Sequence, residues 1–273
     1  MDLGLPFPPR GFERTPKTMG RRWTPANITF ALLSLAGLAA FAYPFWAPAG
    51  LDPEQIRPAL FLFSGSLGMI LVAMLAEAQE GLTAHTIAML GALVGLNTAL
   101  RVIDNLVPLP GGFSPVFLLI TLVGHVFGAR LGFLMGSLTI LVSDPVSPGG
   151  LGPWTPYQML AAGWVGLGAA FLPKRAGAWG LAVYAGIWGW LFGGLTNLYF
   201  WPYALGAPDA SWQPGLGLLG TLTRYARYYL VTSLAWDSMR AIGNVILLAA
   251  LGPSLVKVLE RFRRRAYVAW EPA

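Results

Sequence analysis

Eight apolar runs follow one another along the chain, separated by short segments rich in proline, glycine and charged residues. Within each run the apolar residues are continuous, without the in-and-out alternation of barrel strands, so each run predicts an α-helix. A helix needs about 20 apolar residues to cross about 30 Å of hydrocarbon, a length that most of the runs approach. The pattern predicts an all-α, polytopic integral membrane bundle. The runs lie near residues 28–48, 57–77, 84–103, 113–128, 130–144, 156–173, 178–203 and 226–258.

The connections between the runs differ in length. The tight Gly128-Ala129-Arg130 turn separates the fourth and fifth runs, which are short and predict a helical hairpin. Prolines mixed with glycines make 145–155 a loop, and 204–225 is the longest predicted loop in the membrane part.

Composition agrees with a membrane protein. Of 273 residues, 55% are hydrophobic and 11% are charged, against about 25% charged in an ordinary soluble domain. The net charge of +6 is carried by short clusters beside apolar runs rather than by an exposed basic face. A nucleic-acid partner is therefore not predicted, and a lipid bilayer is the expected surroundings.

The positive charges predict an orientation. Eight spans place both termini on one side, together with thirteen of the 18 lysines and arginines. The positive-inside rule makes that side cytoplasmic, in a multi-pass protein of the bacterial inner membrane. The thirteen are Arg10, Arg14, Lys17, Arg21, Arg22, Arg130, Lys174, Arg175, Lys257, Arg261, Arg263, Arg264 and Arg265.

Ionisable and amide side chains inside the runs are the candidate site. Such groups are costly in a membrane and are usually paired, buried or functional. Asp237 and Arg240 are three residues apart and share one helical face, where they can pair. Two interpretations stay open: these groups orient helices and anchor the interface, or they line an outward-facing ligand cavity. The predicted substrate-binding set is Asn97, Arg101, Gln158, Asn197, Trp201, Trp236, Asp237 and Arg240.

Several chemistries are disfavoured. There is no cysteine, and the two histidines lie on different runs, so no metal site is predicted. No phosphate-binding G-x-x-x-x-G-K-[ST] loop and no Ser/His/Asp arrangement occurs. We therefore expect neither an enzyme nor a bound cofactor.

Small residues at four-residue spacing mark two helix faces. They permit close approach of another helix, either within the bundle or from a partner. The two stripes are Gly128, Gly132 and Gly136, and Ala84, Ala88 and Ala92.

From Leu82 to Arg265 the chain resembles the substrate-binding S component of energy-coupling factor (ECF) transporters. The tract Gly152-Pro153-Trp154-Thr155-Pro156-Tyr157-Gln158-Met159-Leu160 is the most distinctive part of the resemblance. The other segments are Phe113-Ser114-Pro115-Val116-Phe117, Val126-Phe127-Gly128, Asn197-Leu198-Tyr199-Phe200-Trp201-Pro202 and Thr232-Ser233-Leu234-Ala235-Trp236-Asp237.

The resemblance implies a six-helix core that binds a vitamin or related micronutrient from outside with high affinity. It also implies a transmembrane coupling subunit and two cytoplasmic ATPase subunits as partners. The family's alanine motif, which contacts the coupling subunit, corresponds to Ala84, Ala88 and Ala92 here. Cobalamin is the first candidate ligand, by family association alone.

The expected organisation is a cytoplasmic arm at 1–27, a two-helix extension at 28–80, the six-helix core at 81–265 and a tail at 266–273. The two N-terminal runs depart from the family pattern, which puts unchanged use of the docking surface in doubt. Two alternatives remain: a stand-alone transporter coupling its ligand to protons through Asp237, and a membrane-embedded enzyme or assembly factor that uses the Asp237/Arg240 pair structurally.

Overall fold

The computed structural model describes residues 25–46, nine positions between 63 and 75, and residues 82–106, 114–204 and 207–268. Most of the predicted basic arm, much of the second run and most of the C-terminal tail lie outside these ranges. In the described part every regular element is helical, which confirms the all-α expectation. The helices are α1 (Pro25–Trp46), α2 (Phe63–Val72), α3 (Ala84–Leu106), α4 (Val116–Phe127), α5 (Ala129–Ser143), α6 (Thr155–Ala169), α7 (Gly177–Phe200), α8 (Gly217–Thr232) and α9 (Leu234–Val268).

Four helical segments of the described chain are long and apolar enough to cross a membrane. They are Ala84–Leu106, Ala129–Val146, Lys174–Tyr203 and Leu234–Arg264. The apolar part of α1 (Ala31–Trp46), α2 and α4 are shorter. The count of eight spans, the six-plus-two division and the orientation therefore stay predictions.

The hairpin at Gly128 is confirmed. Helix α4 ends at Phe127 and α5 begins at Ala129. Gly128 has φ of 98°, a backbone conformation that suits glycine because it has no Cβ.

One predicted loop is wrong. Residues 204–225 were expected to be irregular, but α8 begins at Gly217. The expected single run at 226–258 is likewise two helices, because α8 ends at Thr232 and α9 starts at Leu234 after a break at Ser233. The break brings the Ser233 hydroxyl against α7, where it takes part in the candidate site.

Helix α4 is the centre of the bundle. Every residue from Val116 to Val126 is buried, as expected for a helix that is apolar all round. Helices α5 and α6 pack beside it and approach each other very closely. A side chain on Gly132 or Gly136 would overlap the backbone of α6. The glycine stripe of α5 therefore serves internal packing.

Helix α1 packs against α6 and the segment before α8. Gly37 faces Leu160, and the Trp212 indole donates to the Pro44 carbonyl at 3.1 Å. Phe41 and Tyr157 pack edge to face with ring centroids 5.0 Å apart. The N-terminal extension is thus joined to the rest of the bundle on this flank.

The alanine stripe of α3 has the opposite environment. Ala84, Ala88 and Ala92 are all exposed. A Cβ added to the neighbouring Gly91 or Gly95 would meet no atom of the described structure within 4 Å. The described helices therefore leave this face of α3 uncovered.

Candidate functional site

Arg101 is the centre of a first polar group. Its guanidinium donates to Asp144 Oδ1 at 2.6 Å and to the Ser143 hydroxyl, and lies 3.4 Å from Gln158 Oε1. Asp144 also accepts a hydrogen bond from the Thr155 hydroxyl at 2.7 Å. We call these five residues the Arg101 cluster; it joins α3 to the end of α5 and the start of α6.

The Arg101 cluster is largely satisfied from within the protein. The Asp144 side chain is 3% exposed and that of Arg101 18%. Burial of an ion pair is tolerated when additional hydrogen bonds serve its remaining polar atoms, as Ser143 and Thr155 do here. Arg101 therefore serves mainly to hold three helices together. Gln158 contacts it through Oε1, so the amide nitrogen of Gln158 is available for other contacts.

Asn97 lies one turn before Arg101 and is completely buried. Its amide nitrogen donates to the Val116 carbonyl at 3.0 Å and to the Thr139 hydroxyl at 3.2 Å. Its carbonyl oxygen has no hydrogen-bond partner among the described residues. Asn97 consequently ties α3 to α4 and α5.

Asp237 and Arg240 form a second polar group, one turn apart on α9. Arg240 donates to Asp237 Oδ1 at 2.5 Å, and the predicted pairing is present. The Asp237 side chain is 3% exposed, whereas 23% of Arg240 remains exposed, with its guanidinium 5.7 Å from the Phe192 ring centre. The Asp237 carboxyl group lies near the Tyr229 hydroxyl, yet neither Oδ2 nor that hydroxyl makes a well-formed hydrogen bond.

Asn197 joins this second group through the break between α8 and α9. Its amide nitrogen donates to the Ser233 hydroxyl at 2.6 Å. The Ser233 carbonyl in turn accepts the backbone N–H of Asp237. We call Asn197, Tyr229, Ser233, Asp237 and Arg240 the Asp237 cluster.

Asp104 lies one turn beyond Arg101 on α3. Its carboxyl group is within electrostatic range of both Arg101 and Arg240. The two clusters therefore lie in the same region of the bundle.

The two tryptophans of the predicted set lie elsewhere. Trp201 is buried, donates to the Ala210 carbonyl at 2.8 Å and packs on Tyr225 with ring centroids 5.2 Å apart. Trp236 is 57% exposed on the surface of the bundle. Of the eight predicted residues, Arg101 lies near Gln158, and Asp237 pairs with Arg240. Asn197 joins the second pair through Ser233.

Sequence reasoning missed Asp144, Tyr229 and Ser233. Asp144 carried a signal, because a carboxyl group at the end of an apolar run needs a partner. Tyr229 and Ser233 carried none, since their roles depend on the break between α8 and α9. No group of three or more His, Cys, Asp or Glu side chains that could hold a metal ion occurs in the described part of the chain.

The two clusters leave hydrogen-bonding groups that could bind a ligand. Arg240 offers donors beyond the one given to Asp237, because a guanidinium carries five N–H groups. The amides of Asn197 and Gln158 can donate and accept. Together these side chains could hold a small molecule with a carbonyl or anionic group.

Comparisons with other proteins give no independent identification. No protein-family model matches the chain, and neither curated proteins nor solved structures give a match. The resemblance to ECF S components therefore rests on the quoted residues alone.

Proposed function

We propose that the protein is the membrane-embedded substrate-binding subunit of an ECF-type transporter that imports a vitamin or related micronutrient. The observation that carries the proposal is the partial exposure of Arg240 within a helix that is apolar enough to span a membrane. A charged side chain at membrane depth faces the bundle interior or a water-filled cavity and marks a ligand path. Arg240 therefore presents its free donors to a polar group of the ligand.

The Arg101 and Asp237 clusters together define what the ligand must offer. Asn197 and Gln158 favour carbonyl and amine groups, and the Phe192 ring beside Arg240 favours a planar neighbour. A ring-containing micronutrient with carbonyl or amide groups fits these requirements. Cobalamin remains the first candidate to test.

The exposed face of α3 supports the partners in this proposal. Ala84, Ala88 and Ala92 form a shallow surface that a helix of another subunit can approach closely. Helix α1 packs on α6 and does not cover this stripe. The N-terminal extension is thus compatible with a coupling subunit docked on α3.

Transport measurements test this function. The protein is reconstituted in liposomes with the coupling subunit and the two ATPases, and labelled candidate vitamins are added outside. Uptake that requires ATP and both ATPases is the expected result. Uptake that persists without the ATPases and collapses with the proton gradient would instead identify the second candidate, a proton-coupled transporter.

That second candidate is favoured by one observation. Asp237 is buried, and its Oδ2 atom makes no well-formed hydrogen bond in the described structure. Such a carboxyl group can take up and release a proton during a transport cycle. The D237N variant distinguishes the two candidates. It would abolish proton-driven uptake, whereas ATP-driven uptake would continue and change only as far as ligand affinity changes.

A further inference from the structure

A cavity lies at the other end of the bundle, away from both polar clusters. It has a volume of about 250 Å³ and lies between the end of α4, the start of α7 and the last turns of α9. A water molecule occupies about 30 Å³ of liquid, so the cavity is larger than a single ion needs. The residues that matter for its chemistry are His125, Lys174, Gly177, Ala178, Glu260 and Arg263.

Two cations are held in fixed positions beside this cavity. Lys174 donates to the His125 carbonyl, and Arg263 donates to the Val126 carbonyl at 2.9 Å. Each contact uses one donor, whereas an ammonium has three and a guanidinium five. Both side chains therefore keep donors that can serve a ligand.

The start of α7 adds backbone donors. Gly177 and Ala178 are its first two residues, and no side chain caps the amides of this turn. The N-terminus of a helix of 24 residues carries partial positive charge and free N–H groups that bind anions.

His125 supplies the independent evidence for a ligand. The residue is 6% exposed and lines the cavity, and its buried Nδ1 atom makes no well-formed hydrogen bond in the described structure, although the ring lies near the Ala169 backbone. An unpaired buried polar atom is costly, which favours a ligand that supplies the missing contact. Among the described lining residues Glu260 is the only acidic one, so two fixed cations outweigh one carboxylate.

We propose that this cavity binds a phosphate group, in the form of the headgroup of an anionic phospholipid. Three kinds of donor converge there, namely the Lys174 ammonium, the Arg263 guanidinium and the first amides of α7, and the neutral His125 imidazole can add one N–H. The cavity lies at the basic end of the bundle, which also carries Arg175, Lys257, Arg261 and Arg264 on exposed positions. Basic pockets between membrane helices at such an end are suited to lipid headgroups.

The site would join helices that are distant in sequence. A phosphate held by Lys174, Arg263 and the α7 terminus links α4, α7 and α9 at one point. The inference does not depend on the identity of the ligand bound near Arg240.

The test uses the full chain purified in mild detergent. Phosphatidylglycerol is added, and its retention is measured by native mass spectrometry beside the thermal unfolding temperature. Phosphatidylcholine, which has no net charge, is the lipid control. Inorganic phosphate alone is a third arm, which distinguishes a soluble phosphate from a lipid as the source.

Four variants separate a ligand site from simple capping of α4. K174Q and R263Q each remove a lining cation, and R175Q removes an exposed neighbouring cation outside the cavity lining. E260Q removes the lining carboxylate. We expect K174Q and R263Q each to lower phosphatidylglycerol retention about fivefold, R175Q to leave it unchanged and E260Q to raise it.

The gain in E260Q is the most informative result, since misfolding cannot produce it. A different result is that millimolar inorganic phosphate displaces phosphatidylglycerol and raises the unfolding temperature of the wild type but not of K174Q. That result would support the site and assign a soluble phosphate as its ligand. Equal retention by K174Q, R263Q and R175Q, with no gain in E260Q, would show that the two cations only cap α4 and would overturn the proposal.

Discussion

The carboxyl group of Asp237 lies directly against the backbone of Gly193. A methyl group on this glycine would overlap the carboxyl atoms themselves. Glycine at this position of α7 therefore leaves room for the buried carboxylate on α9 that pairs with Arg240. The neighbouring Gly194 has no such contact, since a Cβ there would meet nothing within 4 Å.

Substituting these two glycines gives the first prediction. G193A should destabilise the protein by about 2 kcal/mol, because overpacking forces Asp237 and α9 to move. It should also weaken ligand binding, since Arg240 moves with its partner. G194A is the matched control and should stabilise α7 by up to about 1 kcal/mol. Unfolding in mixed micelles measures both, and equal stability of the two variants would contradict the packing described.

Asp144 provides the second prediction. D144N removes the charge that Arg101 depends on, and loss of one partner of a buried pair should cost about 3 kcal/mol. The control is D209N, which breaks the exposed 3.2 Å pair with Arg227 and should cost about 1 kcal/mol or less. Thermal unfolding in the same detergent compares the two. Similar losses in both variants would mean that the Arg101 cluster contributes little to stability.

The third prediction concerns Asn197, whose amide could serve a ligand or only its neighbour. N197L removes the amide, whereas S233A removes the hydroxyl it bonds and leaves the amide in place. If Asn197 contacts ligand, N197L should weaken binding by about 0.5–1.5 kcal/mol, or two- to twelvefold, and S233A by clearly less. Calorimetry on monodisperse samples decides, and equal losses would assign Asn197 to helix packing. Calorimetry of ligand binding to Q158L tests in the same way whether Gln158 contacts ligand.

The exposed stripe of α3 gives the fourth prediction. A88W should block assembly with the coupling subunit while leaving ligand affinity unchanged, because a large side chain prevents close helix approach. A250W places the same bulk at an exposed alanine of α9 and should assemble normally. Copurification measures assembly and calorimetry measures binding. Normal assembly of A88W would remove the stripe from the docking surface.

The helices that the sequence predicted best are those whose apolar runs are uninterrupted. Helices α3, α4, α5 and α7 begin and end within a few residues of their predicted limits, because a membrane span and a glycine turn are local signals. The first half of helix α8 was missed because Pro208, Pro214 and four glycines indicated a loop at 204–225. It forms through tertiary contacts instead, such as the hydrogen bond from Tyr225 to the Gly194 carbonyl.

The site was predictable only where its partners are close in sequence. Asp237 and Arg240 are one helical turn apart, so their spacing alone indicated the pair. The partner of Arg101 is 43 positions away, and its identity depends on how α3 packs against the end of α5. Ser233 could not be recognised, because neither proline nor glycine marks the break that places its hydroxyl on Asn197.

Mass spectrometry of the copurifying ligand tests most directly whether this bundle holds a small micronutrient at Arg240. The full chain is purified in mild detergent from cells grown in rich medium, denatured, and its small molecules are identified and counted against protein. We predict one ring-containing molecule, at a ratio of about one copy per chain in the wild type. Its amount should be strongly reduced in G193A but not in G194A. Equal small-molecule content in the two variants, or no bound molecule together with no measurable affinity for any vitamin tested, would contradict it.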